Sequence, residues 1–100
     1  MTLSVRTDSL ASLELTEAVR WYESKRPGLG GDFLDEVART IDRLALNPEA
    51  GNPMSADHQT RRLFVSRFPY QIVYRIRPDE IVVVALAHLK RRPGYWKNRG

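Results

Sequence analysis

Hydrophobic positions along the chain alternate between two spacings, about 3.6 residues and two residues. In "TLSVRT" at 2–7, Leu3, Val5 and Thr7 alternate with Ser4 and Arg6, the period of a short half-buried strand. Asp8 or Ser9 can then cap a helix, and Leu10, Leu13, Ala18, Trp21 and Tyr22 recur at helical spacing up to "RPGLGG" at 26–31. A proline and three glycines within six residues force a sharp turn there. The run lacks the preceding strand and the Lys-Ser/Thr of a phosphate loop, so it reads as a connector between two helices. The second helix carries its stripe on Phe33, Val37, Ile41, Leu44 and Ala45. Asp32, Asp35 and Glu36 are expected in its first turn, where the helix dipole favours acids, and Asn47-Pro48 stops it. The stretch 49–60 reads as a polar loop, with His58 on the surface.

From residue 61 the spacing becomes two. "RRLFVSR" sets Leu63 and Val65 against Arg62, Phe64 and Ser66. After a turn at Phe68-Pro69, "YQIVYRI" sets Tyr70, Ile72, Tyr74 and Ile76 against Gln71, Val73 and Arg75. "RPDE" at 77–80 makes the next tight turn. "IVVVALA" at 81–87 is so continuously apolar that it reads as a central strand buried on both faces. The expected order is β-α-α-β-β-β, a two-layer α+β domain in which a helical hairpin packs on one side of an antiparallel sheet.

Composition narrows the function classes. One hundred residues suit a single domain over 1–100. The longest apolar run falls far below the roughly 20 residues that cross a bilayer, and the N-terminus has no signal pattern, so the reading is a cytoplasmic protein without a membrane partner. With no cysteine there is no disulfide, thiol nucleophile or cysteine-based metal site, and two distant histidines give no ligand cluster. The expectation is no metal and no cofactor. Net charge is +4, but residues 1–57 balance at −4 and residues 58–100 at +8. A basic half of this kind suits a polyanionic partner.

The chemistry is expected on the sheet face that the helices leave uncovered. Strand parity points Arg62, Gln71 and Arg75 that way, and the last strand ends in "HLKRRPGYWKNRG" at 88–100. If this tail folds back over the sheet, His88, Arg91 and Tyr95 join the same face. Arg62, Arg75, Arg91 and Arg92 are the candidates for contact with an anionic partner. His88, whose unperturbed pKa lies near ~6.5, is the candidate proton-transfer group.

Taken together, "RWYESKRPGLGGDFLDEV" at 20–37, "RRLFVSRFPYQIVYRI" at 61–76 and "ALAHLKRRPGYW" at 85–96 resemble the RelE/ParE superfamily of type II toxins, in particular its ParE-like, plasmid stabilisation branch. The resemblance implies the β-α-α-β-β-β fold and a bacterial toxin neutralised by a cognate antitoxin. It also implies one of two targets. RelE-like members are ribosome-dependent mRNA endonucleases. Their pattern is matched at Arg62 and at His88, Arg91 and Tyr95, which would be the catalytic residues in that case. The chain departs from it at Gln71, where those members have an arginine. Cleavage through the 2′-OH needs a base, an acid and positive charge at the phosphate, and glutamine supplies no charge, although Arg62, Arg75 and Arg91 can compensate. ParE-like members inhibit DNA gyrase by binding, which a missing catalytic arginine allows. The sequence therefore reads as a growth-inhibiting toxin that binds gyrase. The alternatives are the mRNA endonuclease, or a non-toxic nucleic-acid or protein binding module of the same fold.

Overall fold

The computed structural model describes residues 3–100; Thr2, the first residue of the expected strand, lies outside them. Strand β1 (Ser4–Thr7) leads into helix α1 (Ser9–Lys25), helix α2 (Leu29–Leu46) and a single 3-10 turn (Pro48–Ala50). Strands β2 (Asn52–Pro53), β3 (Thr60–Phe64), β4 (Tyr70–Ile76) and β5 (Glu80–His88) follow. Asp8 caps α1, its carboxylate accepting from the Leu10 amide at 3.0 Å. The glycine-rich connector is shorter than the sequence suggests, because α2 already begins at Leu29. Only Asp32 therefore stands in its first turn, and Asp35 and Glu36 fall deeper in the helix. Glu23 of α1 caps the new helix, its carboxylate accepting from the amides of Gly28 and Gly30.

The sheet is mixed rather than antiparallel, in the order β1-β5-β4-β3-β2. β1 lies parallel to β5, with Val5 opposite Ile81, whereas the other neighbours are antiparallel. The helical hairpin and the following strands supply the long crossover that a parallel pair requires. The two-residue β2, inside the expected loop, adds a fifth strand.

Both helices cover one face. Phe33, Val37 and Leu44 of α2 are buried as expected, with Ile41 and Ala45 partly so. On α1 the buried positions are Ala11, Ala18 and Tyr22, whereas Leu10, Leu13 and Trp21 are about half exposed. The expected stripe thus holds at Ala18 and Tyr22 and fails at the larger residues, because small alanines let the α1 backbone approach the sheet closely. Tyr22, Phe33, Phe68 and Tyr70 form an aromatic cluster whose ring centroids lie 4.9 to 6.2 Å apart.

β5 is buried along almost its whole length and on both faces. Ile81, Val83 and Leu86 join the helix-side core, while Val82, Val84 and Ala85 face the other way beside Val73 and Trp96. A β-bulge accounts for two consecutive residues on one face. Val73 pairs with Ala85 and Tyr74 with Val83, so Val84 is the extra residue.

Candidate functional site

The tail does fold back over the sheet. Trp96 is 7% exposed and packs against Val73, Val82, Val84 and Ala85. Arg75, on the same face, is used to hold the tail down. Its guanidinium donates to the carbonyls of Lys97 (2.8 Å) and Arg99 and lies 5.9 Å from the Trp96 ring centroid, and Arg77 donates to the Gly100 carbonyl at 2.7 Å. Burial, followed by the neighbouring Arg77, lowers the Arg75 pKa from its ordinary value.

What the tail leaves open is a notch of about 120 Å³ lined by Arg62, Gln71, Arg91, Arg92, Tyr95 and Trp96, among others. Arg62 Nη1 donates to Gln71 Oε1 at 3.3 Å, and its guanidinium lies 5.2 Å from the ring of Phe64. The Arg91 guanidinium stacks 3.9 Å from the Tyr95 ring centroid. None of Arg62, Arg91 and Arg92 forms an ion pair among the described residues. Three unneutralised guanidiniums beside a side-chain amide suit a phosphate or carboxylate, which they can bind through paired N–H donors.

Glu14 of α1, which the sequence reading did not single out, ties this region together. Beyond Asp8, whose amide donates to the Val83 carbonyl at 2.8 Å, the backbone no longer covers the edge of β5, and side chains take over. Glu14 Oε1 accepts from the Leu86 amide at 3.2 Å and from Arg99 Nη1 at 2.7 Å, and Oε2 accepts from the Tyr95 hydroxyl at 2.6 Å. Arg99 also donates to the Val84 carbonyl at 3.1 Å. Burial and the bond to Glu14 push the Tyr95 hydroxyl pKa far above its ordinary value, so the phenol stays protonated and directed at Glu14. One carboxylate in "LELTE" gives no sequence signal for this role.

His88 does not join the notch. The bulge at Val84 reverses the parity of β5, so His88 pairs with Tyr70 and meets its ring edge-on at 5.1 Å on the helix side. There it lines a second cleft, of about 440 Å³, with Glu17, Trp21, Tyr22, Tyr70 and Arg91. The Lys90 amide donates to its Nδ1 at 3.1 Å. The sequence expectation that a folded-back tail would bring His88, Arg91 and Tyr95 to one face thus holds for Arg91 and Tyr95 and fails for His88. Arg62, Arg91 and Arg92 do come together, and Arg75 lies apart from them under the tail. Among the described residues no cluster of three His, Asp or Glu side chains is placed to hold a metal ion.

Comparison with known proteins places this geometry in context. The family model described as "ParE toxin of type II toxin-antitoxin system, parDE" matches residues 5–93. A curated protein of Caulobacter vibrioides, Toxin RelE3, is 29% identical over 92 residues, which cover 89% of this chain and 98% of that protein. Among solved structures, one described as a chromosomal ParDE TA system from P. aeruginosa superposes with a TM-score of 0.75. It covers 87% of this chain and 96% of its own, at 16% identity, and so shares the fold.

Proposed function

The chain belongs to the ParE toxin family of type II toxin-antitoxin systems, and from that premise we propose that it arrests growth in the cytoplasm by binding DNA gyrase without cutting nucleic acid, and that a cognate antitoxin neutralises it. The observation that carries this reading is the composition of the notch. It gathers positive charge on Arg62, Arg91 and Arg92, yet its phenol donates to Glu14 and the one nearby imidazole, His88, lies on the other side of the sheet. Binding an anionic surface needs only the charge; cleaving a phosphodiester also needs proton transfer at the notch. Gln71 in place of an arginine points the same way.

The relative named Toxin RelE3 favours a second reading, the ribosome-dependent mRNA endonuclease, for which His88, Arg91 and Tyr95 are the candidate catalytic residues. Inducing the gene alone, while following plasmid supercoiling and transcript integrity, separates the two. Lost supercoiling with intact transcripts supports the gyrase reading. Transcripts cut at codons with normal supercoiling support the nuclease, and unimpaired growth supports a non-toxic binding module. Among the described residues no helix is long and apolar enough to cross a membrane.

A further inference from the structure

Among the described residues, Arg91 alone lines both the notch and the helix-side cleft. Its backbone is fixed between them. The Arg91 amide donates to the His88 carbonyl at 2.9 Å, and the Leu89 amide donates to the Pro69 carbonyl at 2.9 Å. Only the exposed side chain can therefore turn to one opening or the other. Charge by itself favours the cleft. On the notch side Arg91 stands beside Arg62 and Arg92, and none of the three has a counter-ion among the described residues. On the cleft side stands Glu17, an exposed carboxylate that likewise forms no ion pair there. Like charges raise the energy of the first position, and an opposite charge lowers that of the second. The guanidinium nevertheless stacks on Tyr95, which lines the notch and not the cleft, 3.9 Å from the ring centroid. That ring is itself held at two points. Its hydroxyl donates to Glu14 Oε2 at 2.6 Å, and Trp96, the next residue, is buried against Val73, Val82, Val84 and Ala85. Arg99, 5.0 Å from the same centroid, is already paired with Glu14 at 2.7 Å. Arg91 is the unpaired cation that the ring retains.

We infer that Glu14 is a positioning residue for the notch: through the Tyr95 hydroxyl it fixes the ring that holds Arg91 beside Arg62 and Arg92, against the competing attraction of Glu17. The inference deepens the reading of the notch as the site that meets an anionic surface, and rests on it. Releasing the hydroxyl lets the ring move, and Arg91 then turns to Glu17, leaving two guanidiniums in the notch in place of three. An anion in the notch acts in the opposite sense, because it supplies the counter-charge that the three lack. Cleft and notch are thus coupled through one side chain, so a ligand that neutralises Glu17 in the cleft strengthens anion binding in the notch. A bond that merely secured the tail would behave differently. Its loss would loosen the cover of the sheet whatever stood at position 17, whereas loss of a positioning contact is repaired by removing the competing carboxylate.

Nuclear magnetic resonance of the Arg91 side chain, combined with a titration by inorganic pyrophosphate, tests this on the whole chain. In the unaltered protein the Arg91 δ-methylene and Nε–H protons are expected upfield, shifted by the Tyr95 ring. Pyrophosphate is expected to move the Arg62 and Gln71 side-chain resonances saturably. Tyr95→Phe keeps the ring and removes only the hydroxyl. It is expected to lose most of the Arg91 ring shift and to bind pyrophosphate about three-fold more weakly, with Trp96 emission unchanged. Tyr95→Phe/Glu17→Gln is expected to regain both the shift and the affinity. A Tyr95→Phe variant that matches the unaltered chain in both readouts overturns the positioning role, as does a double variant that stays as weak as Tyr95→Phe. An equal gain in affinity from Glu17→Gln alone, which reports net charge and not the release of Arg91, also overturns it. Absence of any pyrophosphate shift at Arg62 and Gln71 in the unaltered chain overturns instead the anion-site reading of the notch, and the Arg91 ring shift across the variants then decides the positioning role by itself.

Discussion

The Tyr95 hydroxyl donates to Glu14 Oε2 at 2.6 Å, joining the tail to helix α1 across 81 positions of sequence. Because the same carboxylate holds Arg99 and the Leu86 amide, it closes the uncovered edge of β5 and fixes the ring on which Arg91 stacks. The shape of the notch therefore depends on a residue outside it.

Removing that carboxylate leaves Arg99 without its counter-ion at a site where both side chains are only 14% exposed. Glu14→Ala is expected to cost about 3 kcal/mol in a urea unfolding experiment. Glu17→Ala, one turn along the same helix and exposed, should stay within about 0.5 kcal/mol of the unaltered chain.

The tyrosines give the fold an alkaline limit. Tyr95 is raised by burial and then by Glu14, and Tyr22, Tyr70 and Tyr74 are each raised chiefly by burial. A phenol whose folded pKa exceeds its unfolded value of about 10 contributes stability that is complete below that pH and is lost as pH rises toward the folded value. Unfolding free energy should therefore be level from about pH 8 to 10 and fall above it. Tyr95→Phe should reduce that fall, as read by denaturant midpoints across the pH series.

Tyr74 lies at 0% exposure, donates to the Pro48 carbonyl at 2.6 Å and accepts from the Gly51 amide at 2.9 Å. Tyr74→Phe deprives two backbone groups of their partner and should cost about 1–3 kcal/mol. Gly51→Ala should cost a similar amount, roughly 1–3 kcal/mol by overpacking, because its Cβ would lie 2.5 Å from the Tyr74 hydroxyl and 2.7 Å from the Arg62 carbonyl. Thermal denaturation of the two variants checks both.

Arg75 is a clamp for the tail. Arg75→Ala removes the donors to the Lys97 and Arg99 carbonyls and should shift Trp96 emission to the red, measured in a Trp21→Phe background. Trp96→Ala should be more damaging, by about 3–5 kcal/mol, because it strips the cover from Val73, Val82, Val84 and Ala85.

Most of the architecture was legible because it follows from spacing. Alternation in "YQIVYRI" placed Ile72 and Tyr74 in the core and turned Gln71 and Arg75 away, and Asn47-Pro48 ended α2 where a proline must. What escaped were features that spacing does not encode. In "IVVVALA" every position is apolar, so nothing announces that Val84 is an extra residue, and the inversion it imposes on His88 is invisible. On α1 the larger side chains suggested the wrong face, since close approach to the sheet selects Ala11 and Ala18 over Leu10 and Leu13. Of the notch lining, Arg62 was expected on that face from strand parity, and Arg91 and Arg92 from the charge of the tail, whereas Arg75, expected with them, lies under the tail. Glu14 was not expected, because its value lies in contacts with Leu86, Tyr95 and Arg99, at least 72 positions away.

Binding of gyrase by the basic notch is measured by adding the purified chain to DNA gyrase and relaxed plasmid and following supercoiling. The unaltered chain and His88→Ala are expected to inhibit supercoiling alike, whereas an Arg62→Ala/Arg92→Ala variant should inhibit at least about ten-fold less well. Full supercoiling in the presence of a folded, unaltered chain would contradict such binding.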